Sequence, residues 1–286
     1  MPTCLSCGRE TPPTEDPQNI CPECRAAILA RSGGALPGRR ALSSSSSSSL
    51  SLMVERMPVT SAIIGINVLV FVAMVLSGVS ALDPQNQDLA KWGANTGLQT
   101  LFAQPWRMLT SNYVHIGFIH ILLNMWCLWN LGALAERIFD RWTYVLTYTF
   151  CGLAGSLVSL GFHPMREGAG ASGAIFGMAG ALISALYLGH LPVPPQALKA
   201  TLKSLLMFAG YNLFFGAAIP AIDNSAHLGG LFAGLALGAV LSRHLTSPPD
   251  ERNSWRRWVF ILAGVLFLVA FQLVRRAVLH AYAPTA

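Results

Sequence analysis

Gly168-Ala-Gly-Ala-Ser172-Gly-Ala-Ile-Phe176-Gly-Met-Ala-Gly-Ala-Leu-Ile-Ser-Ala-Leu-Tyr-Leu-Gly189 runs for 22 residues without an Asp, Glu, Lys or Arg. About 20 predominantly apolar residues suffice for a helix to cross a bilayer. Six further windows carry no charge: 58–82, 114–135, 142–162, 204–222, 224–242 and 258–274. In lipid, backbone groups must be satisfied within their own segment, so each window predicts a transmembrane helix. None shows the short alternating strands of a membrane β-barrel.

Composition agrees. The 286 residues are 53% hydrophobic and 11% charged, where a soluble domain carries about 25% charged residues. The mean hydropathy is +0.49. Nineteen Lys and Arg against 13 Asp and Glu give a net charge of +6. The basic residues are scattered between apolar runs, which excludes nucleic acid as a partner. Six cysteines are too few for a secreted disulfide scaffold. The first apolar run starts only at residue 58, so it does not read as a cleavable signal peptide. The fold class expected is an all-α polytopic protein in a lipid bilayer.

Lys and Arg accumulate on the cytoplasmic side of membrane proteins. A cytoplasmic N-terminus places 14 of the 19 basic residues inside and leaves Lys91, Arg107, Arg166, Arg275 and Arg276 outside. Seven spans then put the C-terminus outside. The compact layout points to a bacterial plasma membrane.

Three pieces lie outside the spans. Cys4-Leu-Ser-Cys7 and Cys21-Pro-Glu-Cys24 form two CxxC pairs within residues 1–30. Two such turns can supply the four thiolates of a tetrahedral zinc site, a small ribbon or knuckle with no open coordination position and hence a structural role. A pair of disulfides or a redox motif is the alternative; a cytoplasmic location and the lack of a βαβ context weigh against both. Residues 31–57 include Gly33, Gly34, Pro37 and the run Ser43 to Ser49, the composition of a flexible linker. Residues 83–113 form a long external loop whose Trp92, Phe102 and Trp106 suggest a structured interfacial element.

Polar side chains inside spans are functional candidates. His120 and Asn124 share one helix face, four residues apart. Ser172 opens the fourth span and His227 lies near the start of the sixth. Taken singly, each has an ordinary role: Ser bonding its own i−4 carbonyl, His packed in a core, Asn joining two helices. Their combination with glycines points further. Gly230, Gly234 and Gly238 fall on nearly the same helix face as His227, and Gly173 and Gly177 follow Ser172. Small residues let helix backbones approach closely, which would bring Ser172 within hydrogen-bond reach of His227. Serine as a nucleophile needs a base and donors for the oxyanion. His227 is the candidate base; His120, Asn124 and the Ser172 amide are the candidate donors.

These residues resemble the rhomboid family of intramembrane serine proteases over roughly 57–245. The resemblance rests on Trp106-Arg107, on His115, His120 and Asn124, on Gly170-Ala-Ser172-Gly173, and on Ala226-His227-Leu-Gly229-Gly230. It implies a six-helix core at 58–245 in which Ser172 is the nucleophile and His227 the base, a dyad without a catalytic Asp. It further implies an oxyanion hole lined by His120 and Asn124, a first loop ordered by Arg107 and His115, and Phe176 stacked on the catalytic imidazole. Glu136 and Arg137 match a polar cluster at the cytoplasmic end of the second span. The fifth span would be a lateral gate, with Tyr211 to Phe215 at the gating position. A seventh helix within 246–286, followed by an external tail, fits a known family layout.

Asp223, four residues before His227, invites a Ser-His-Asp triad; capping of the sixth helix is the simpler role. The function expected is cleavage of single-pass membrane proteins within the membrane, needing no cofactor for catalysis. The alternative is a non-catalytic relative that binds membrane clients. A proton-coupled transporter would call for acidic residues in the spans and broken helices in related halves, and the sequence has neither. The zinc module is a candidate docking site for a cytoplasmic partner.

Overall fold

The computed structural model describes residues 3–4, 6–10, 20–31, 55–219 and 222–282. It divides into two compact units, Met1–Leu52 and Met53–Ala286. In the first, a single antiparallel bridge joins Thr3 to Glu10, Gly8 takes φ +75° in the turn between them, and helix α1 spans Pro22–Arg31. Most of the Ser-rich stretch read as a linker, including Ser43 to Ser49, lies outside the described residues.

The second unit is helical. Its long helices are α2 (Pro58–Leu76), α6 (Phe118–Ile138), α7 (Arg141–Phe162), α8 (Ser172–Leu188), α9 (Pro195–Ala218), α10 (Asn224–Leu241) and α11 (Pro249–Tyr282). These seven correspond to the seven charge-free windows and form a multi-pass membrane protein: six core helices and one appended helix. Among the described residues, five helices are long and apolar enough to cross a membrane. The other two differ for physical reasons. Helix α9 has 24 residues but carries Lys199 and Lys203 in its first half. Helix α8 has only 17 residues, about 26 Å at 1.5 Å per residue, less than the roughly 30 Å hydrocarbon thickness. It can be short because it faces protein nearly all round: Gly173 to Leu182 and Ser184 to Leu186 are buried.

Glycines set the closest helix pair. On α10, Gly230, Gly234 and Gly238 face Gly173, Gly177 and Ala181 of α8; a Cβ at any of the three would overlap the opposing backbone. Helix α7 joins the same contact, since a Cβ at Gly155 would meet the Ala226 carbonyl and Gly173 Cα. Around this seam Leu128, Tyr144, Tyr148, Ile175, Met178 and Leu182 are almost completely buried.

The chain between α2 and α6 is ordered. It holds α3 (Asn86–Lys91), α4 (Leu98–Phe102) and α5 (Arg107–Thr110). Strand β1 (Asn95–Thr96) pairs antiparallel with β2 (Glu167–Gly168), with Asn95 opposite Gly168 and Thr96 opposite Glu167. The buried Arg107 guanidinium donates to the carbonyls of Ala90 (2.6 Å) and Ala94 (2.9 Å), and Nε to Gln104 Oε1. Helix α11 braces the ends of the core. Arg256 pairs with Asp140 at 2.6 Å, while Phe271 and Val278 pack with Leu101, Met108, Leu157 and Leu160.

Gly234→Ala is expected to lower the thermal midpoint, because overpacking a tight contact costs about 1–3 kcal/mol. Gly210 on α9 has open space around its Cα. Gly210→Ala should be neutral or raise the midpoint slightly, since Ala is favoured over Gly in a helix by about 0.5–1 kcal/mol. Melting of the two variants in the same detergent compares them directly.

Candidate active site

Ser172 is the first residue of α8 and His227 lies in the first turn of α10. Both line one cavity of about 480 Å³, as do His120 and Asn124 of α6, Gly170 and Phe176. Trp106, Arg107 and His115 are not part of its lining. Trp106 is half-exposed with the Arg107 guanidinium 4.8 Å above its ring, and His115 is fully buried.

Local structure sets each side chain. Asp140 and Asp223 begin α7 and α10 as N-caps, the carboxylates accepting from backbone amides of the first turn. The Asp223 carboxylate also accepts from the hydroxyls of Ser159 and Ser225. Asp223 is thus committed to the cap and to Ser159, and the ring of His227 meets a different partner. His227 Nδ1 lies 3.2 Å from Asn224 Oδ1. The face of the imidazole stacks on Phe176, with centroids 4.2 Å apart and planes at 10°. Among the described residues, no hydrogen bond joins Ser172 to His227, although both line the same cavity.

The hydrogen bonds of His120 and Asn124 determine which of their N–H groups stay unused. The Ile116 amide donates to His120 Nδ1 at 3.3 Å, so in the neutral ring Nε2 carries the proton. Asn124 Nδ2 donates to the His120 carbonyl at 2.8 Å and keeps a second N–H. The first amides of α8, from Ser172 on, have no intrahelical acceptor. Gly170 takes φ +127°, and a Cβ there would run into the His120 ring. Its amide donates to the Ser111 carbonyl, and the Ala171 amide approaches His115 Nε2 at 3.5 Å. The backbone entering α8 is therefore tied to the first loop on one side and pressed against His120 on the other.

Helix α9 closes one wall with Phe208 and Asn212. Phe208 sits 5.7 Å from Phe176. Tyr211, Phe214 and Phe215 point outward and are more than half exposed. Only Leu205, Ala209 and Gly216 of this helix are buried.

Sequence reasoning missed Asn224. It stands three residues before His227, a spacing that puts both on one face of a helix, but the charge of the adjacent Asp223 masks the amide in the sequence. It also missed the polar far wall of the cavity, Ser111, Asn112 and Ser156, which sits on two elements with no shared motif.

In the first unit, the sulfurs of Cys4, Cys7, Cys21 and Cys24 all lie within 4.8 Å of one another, and all four cysteines are free. Cys7 and Cys21 sulfurs are 3.8 Å apart, the edge of a tetrahedron with metal–sulfur bonds of about 2.3 Å. The Cys21 amide donates to Cys4 Sγ at 3.2 Å, a bond that favours the thiolate a metal requires. The cluster could hold one zinc ion.

Residues 103–244 match the family model of the rhomboid domain. Rhomboid protease GluP of Bacillus subtilis (strain 168) is 35% identical over 178 residues, 62% of this chain and 34% of that protein. RHOMBOID-like protein 7 of Arabidopsis thaliana is 35% identical over 205 residues, 66% of this chain and 64% of its own length. Rhomboid-like protease 5 of Toxoplasma gondii is 32% identical over 151 residues, 50% of this chain and 17% of that protein. The chain thus spans less than two thirds of the length of each of these relatives.

The two capping carboxylates make the fold sensitive to acid. Burial opposes ionisation of Asp223, but hydrogen bonds from Ser159, Ser225 and the first amides of α10 outweigh it and hold the carboxyl below its ordinary value. At Asp140 burial is outweighed in the same way by Thr143, Arg256 and Arg252. A native value below the unfolded one, about 3.9, stabilises fully above that range and is lost as pH falls through the native value. Thermal stability should therefore be flat near neutrality and drop in acid. Asp223→Asn, which keeps a capping oxygen, should weaken that acid dependence; melting at a series of pH values reads it.

Proposed function

The chain carries a rhomboid domain and belongs to the rhomboid family, and on that premise we propose that it is an intramembrane serine endopeptidase working through Ser172 and His227. One observation carries the proposal: Ser172, His227, His120 and Asn124, from three helices far apart in sequence, line a single cavity. The relative from Bacillus subtilis named as a rhomboid protease supports the class of reaction.

In this reading Ser172 Oγ attacks the scissile carbonyl carbon while His227 Nε2 takes its proton. The carbonyl oxygen becomes an oxyanion, held by His120 Nε2–H, the second N–H of Asn124 and the Ser172 amide. Collapse breaks the C–N bond, and the imidazolium returns its proton to the leaving amine. Water then attacks the acyl-enzyme, with His227 again as base, and releases the new carboxylate and Ser172. The substrates are transmembrane segments of single-pass proteins. Their entry is past α9, the core helix with the fewest buried residues, and Phe208 and Asn212 are the side chains it would displace. The charge distribution supports a cytoplasmic N-terminus, which sets Ser172 a few residues beneath the outer surface.

The module at residues 1–30 is proposed to hold structural zinc on Cys4, Cys7, Cys21 and Cys24, separate from the protease core at 58–245 and from catalysis. It would offer a docking surface to a cytoplasmic partner.

Reconstituted with a single-pass substrate, the wild-type chain should cleave. Ser172→Ala and His227→Ala should each abolish cleavage and fluorophosphonate labelling without changing the thermal midpoint. Full cleavage by purified Ser172→Ala would sink the assignment. No cleavage or labelling by a folded wild type would favour the client-binding reading. Elemental analysis of the intact protein should find one zinc per chain. Cys21→Ser should lose the metal while the Ser172-dependent labelling persists.

A further inference from the structure

Asn224 is bonded at both ends of its amide. Nδ2 donates to the Leu213 carbonyl of α9 at 2.9 Å, and Oδ1 faces His227 Nδ1 at 3.2 Å. A backbone carbonyl can only accept, so the nitrogen end of the amide must point at Leu213 and the oxygen end at the imidazole. An amide oxygen can also only accept, so His227 Nδ1 must carry the proton. In a neutral imidazole the lone pair then sits on Nε2, the nitrogen that a base for Ser172 would use. We propose that Asn224 is a positioning residue that fixes the tautomer and rotation of His227, and that its own orientation is dictated by the Leu213 carbonyl of α9. This rests on the reading of Ser172 as nucleophile and His227 as base.

The surrounding packing leaves this task to Asn224. Stacking on Phe176 sets the plane of the ring but does not distinguish its two nitrogens. Asp223, the other acceptor in the same turn, is engaged by Ser159, Ser225 and the first amides of α10. The approach of α9 is close because residue 216 is glycine: a Cβ there would overlap Asn224 Oδ1 and crowd Ile222. Gly216 thus lets the Leu213 carbonyl come within reach, on the core helix least anchored by burial. The position of α9 and the readiness of the base are coupled through one side chain.

The test uses the full-length chain. Nitrogen-15 spectra of the His227 ring under mildly alkaline conditions should show a protonated Nδ1 and a bare Nε2 in the wild type, and a mixture of tautomers in Asn224→Ala. Labelling of Ser172 by a small fluorophosphonate should slow roughly tenfold or more in Asn224→Ala, a part of what a general base supplies. Asn224→Asp keeps the acceptor for the ring and should recover much of that rate. Gly216→Ala, which pushes on Asn224 from α9, should slow labelling with the ring and its partner chemically unchanged.

A wild-type ring protonated on Nε2 overturns the proposal without any variant, so a misfolded Asn224→Ala cannot shield it. Wild-type labelling and an unchanged spectrum in a folded Asn224→Ala overturn it too. In either case loss of labelling in Ser172→Ala and His227→Ala leaves the broader reading standing. Labelling that survives Ser172→Ala removes the broader reading instead.

Discussion

The contact between the backbones of α8 and α10 governs the rest of the structure. Gly230, Gly234 and Gly238 meet Gly173, Gly177 and Ala181 with no side chain between them. In lipid there is no hydrophobic drive to bring helices together, so close packing and helix-to-helix polar contacts hold them. A glycine seam gives the largest backbone contact available. It also places the first turns of both helices side by side, and those turns carry Ser172 and His227. The helix association that stabilises the bundle is the one that assembles the site.

A second constraint is the length of α8. Surrounded by protein, at 17 residues it need not match the bilayer thickness. The chain enters it through Glu167–Gly168 and Gly170, backbone that is not helical. Such backbone is tolerated at membrane depth only where protein or water satisfies it. The pairing with Asn95–Thr96, the bond from Gly170 to Ser111 and the approach of Ala171 to His115 do this. The ordered first loop, with Arg107 at its centre, therefore supports the entry to α8 rather than lining the cavity.

The polar groups of the site are also held by local geometry. His120 and Asn124 are neighbours one turn apart on α6; the Ile116 amide, just before the helix, donates to His120 Nδ1 and Asn124 Nδ2 donates to the His120 carbonyl, which leaves Nε2–H and one amide N–H of two residues that line the cavity. Asp223 ends as a helix cap because its backbone position offers the first amides of α10 more readily than the imidazole. The ring finds the neutral Asn224 instead, and through it the backbone of α9.

The seven helices, the two CxxC pairs and the positions of Ser172, His227, His120 and Asn124 were legible in the sequence. Apolar length, cysteine spacing and helical periodicity are local properties that survive without tertiary information. The shortness of α8, the outward direction of Tyr211, Phe214 and Phe215 and the place of Phe208 and Asn212 in the cavity lining were not, because they depend on how far one helix is rotated against another. The contact of Asn224 with the imidazole is hidden from the sequence for a similar reason. Its neighbour Asp223 has the charge that a sequence reading looks for beside a histidine. Which of the two meets the ring depends on where the carbonyl of Leu213 and the hydroxyl of Ser159 lie, and only packing of α7 and α9 against α10 decides that.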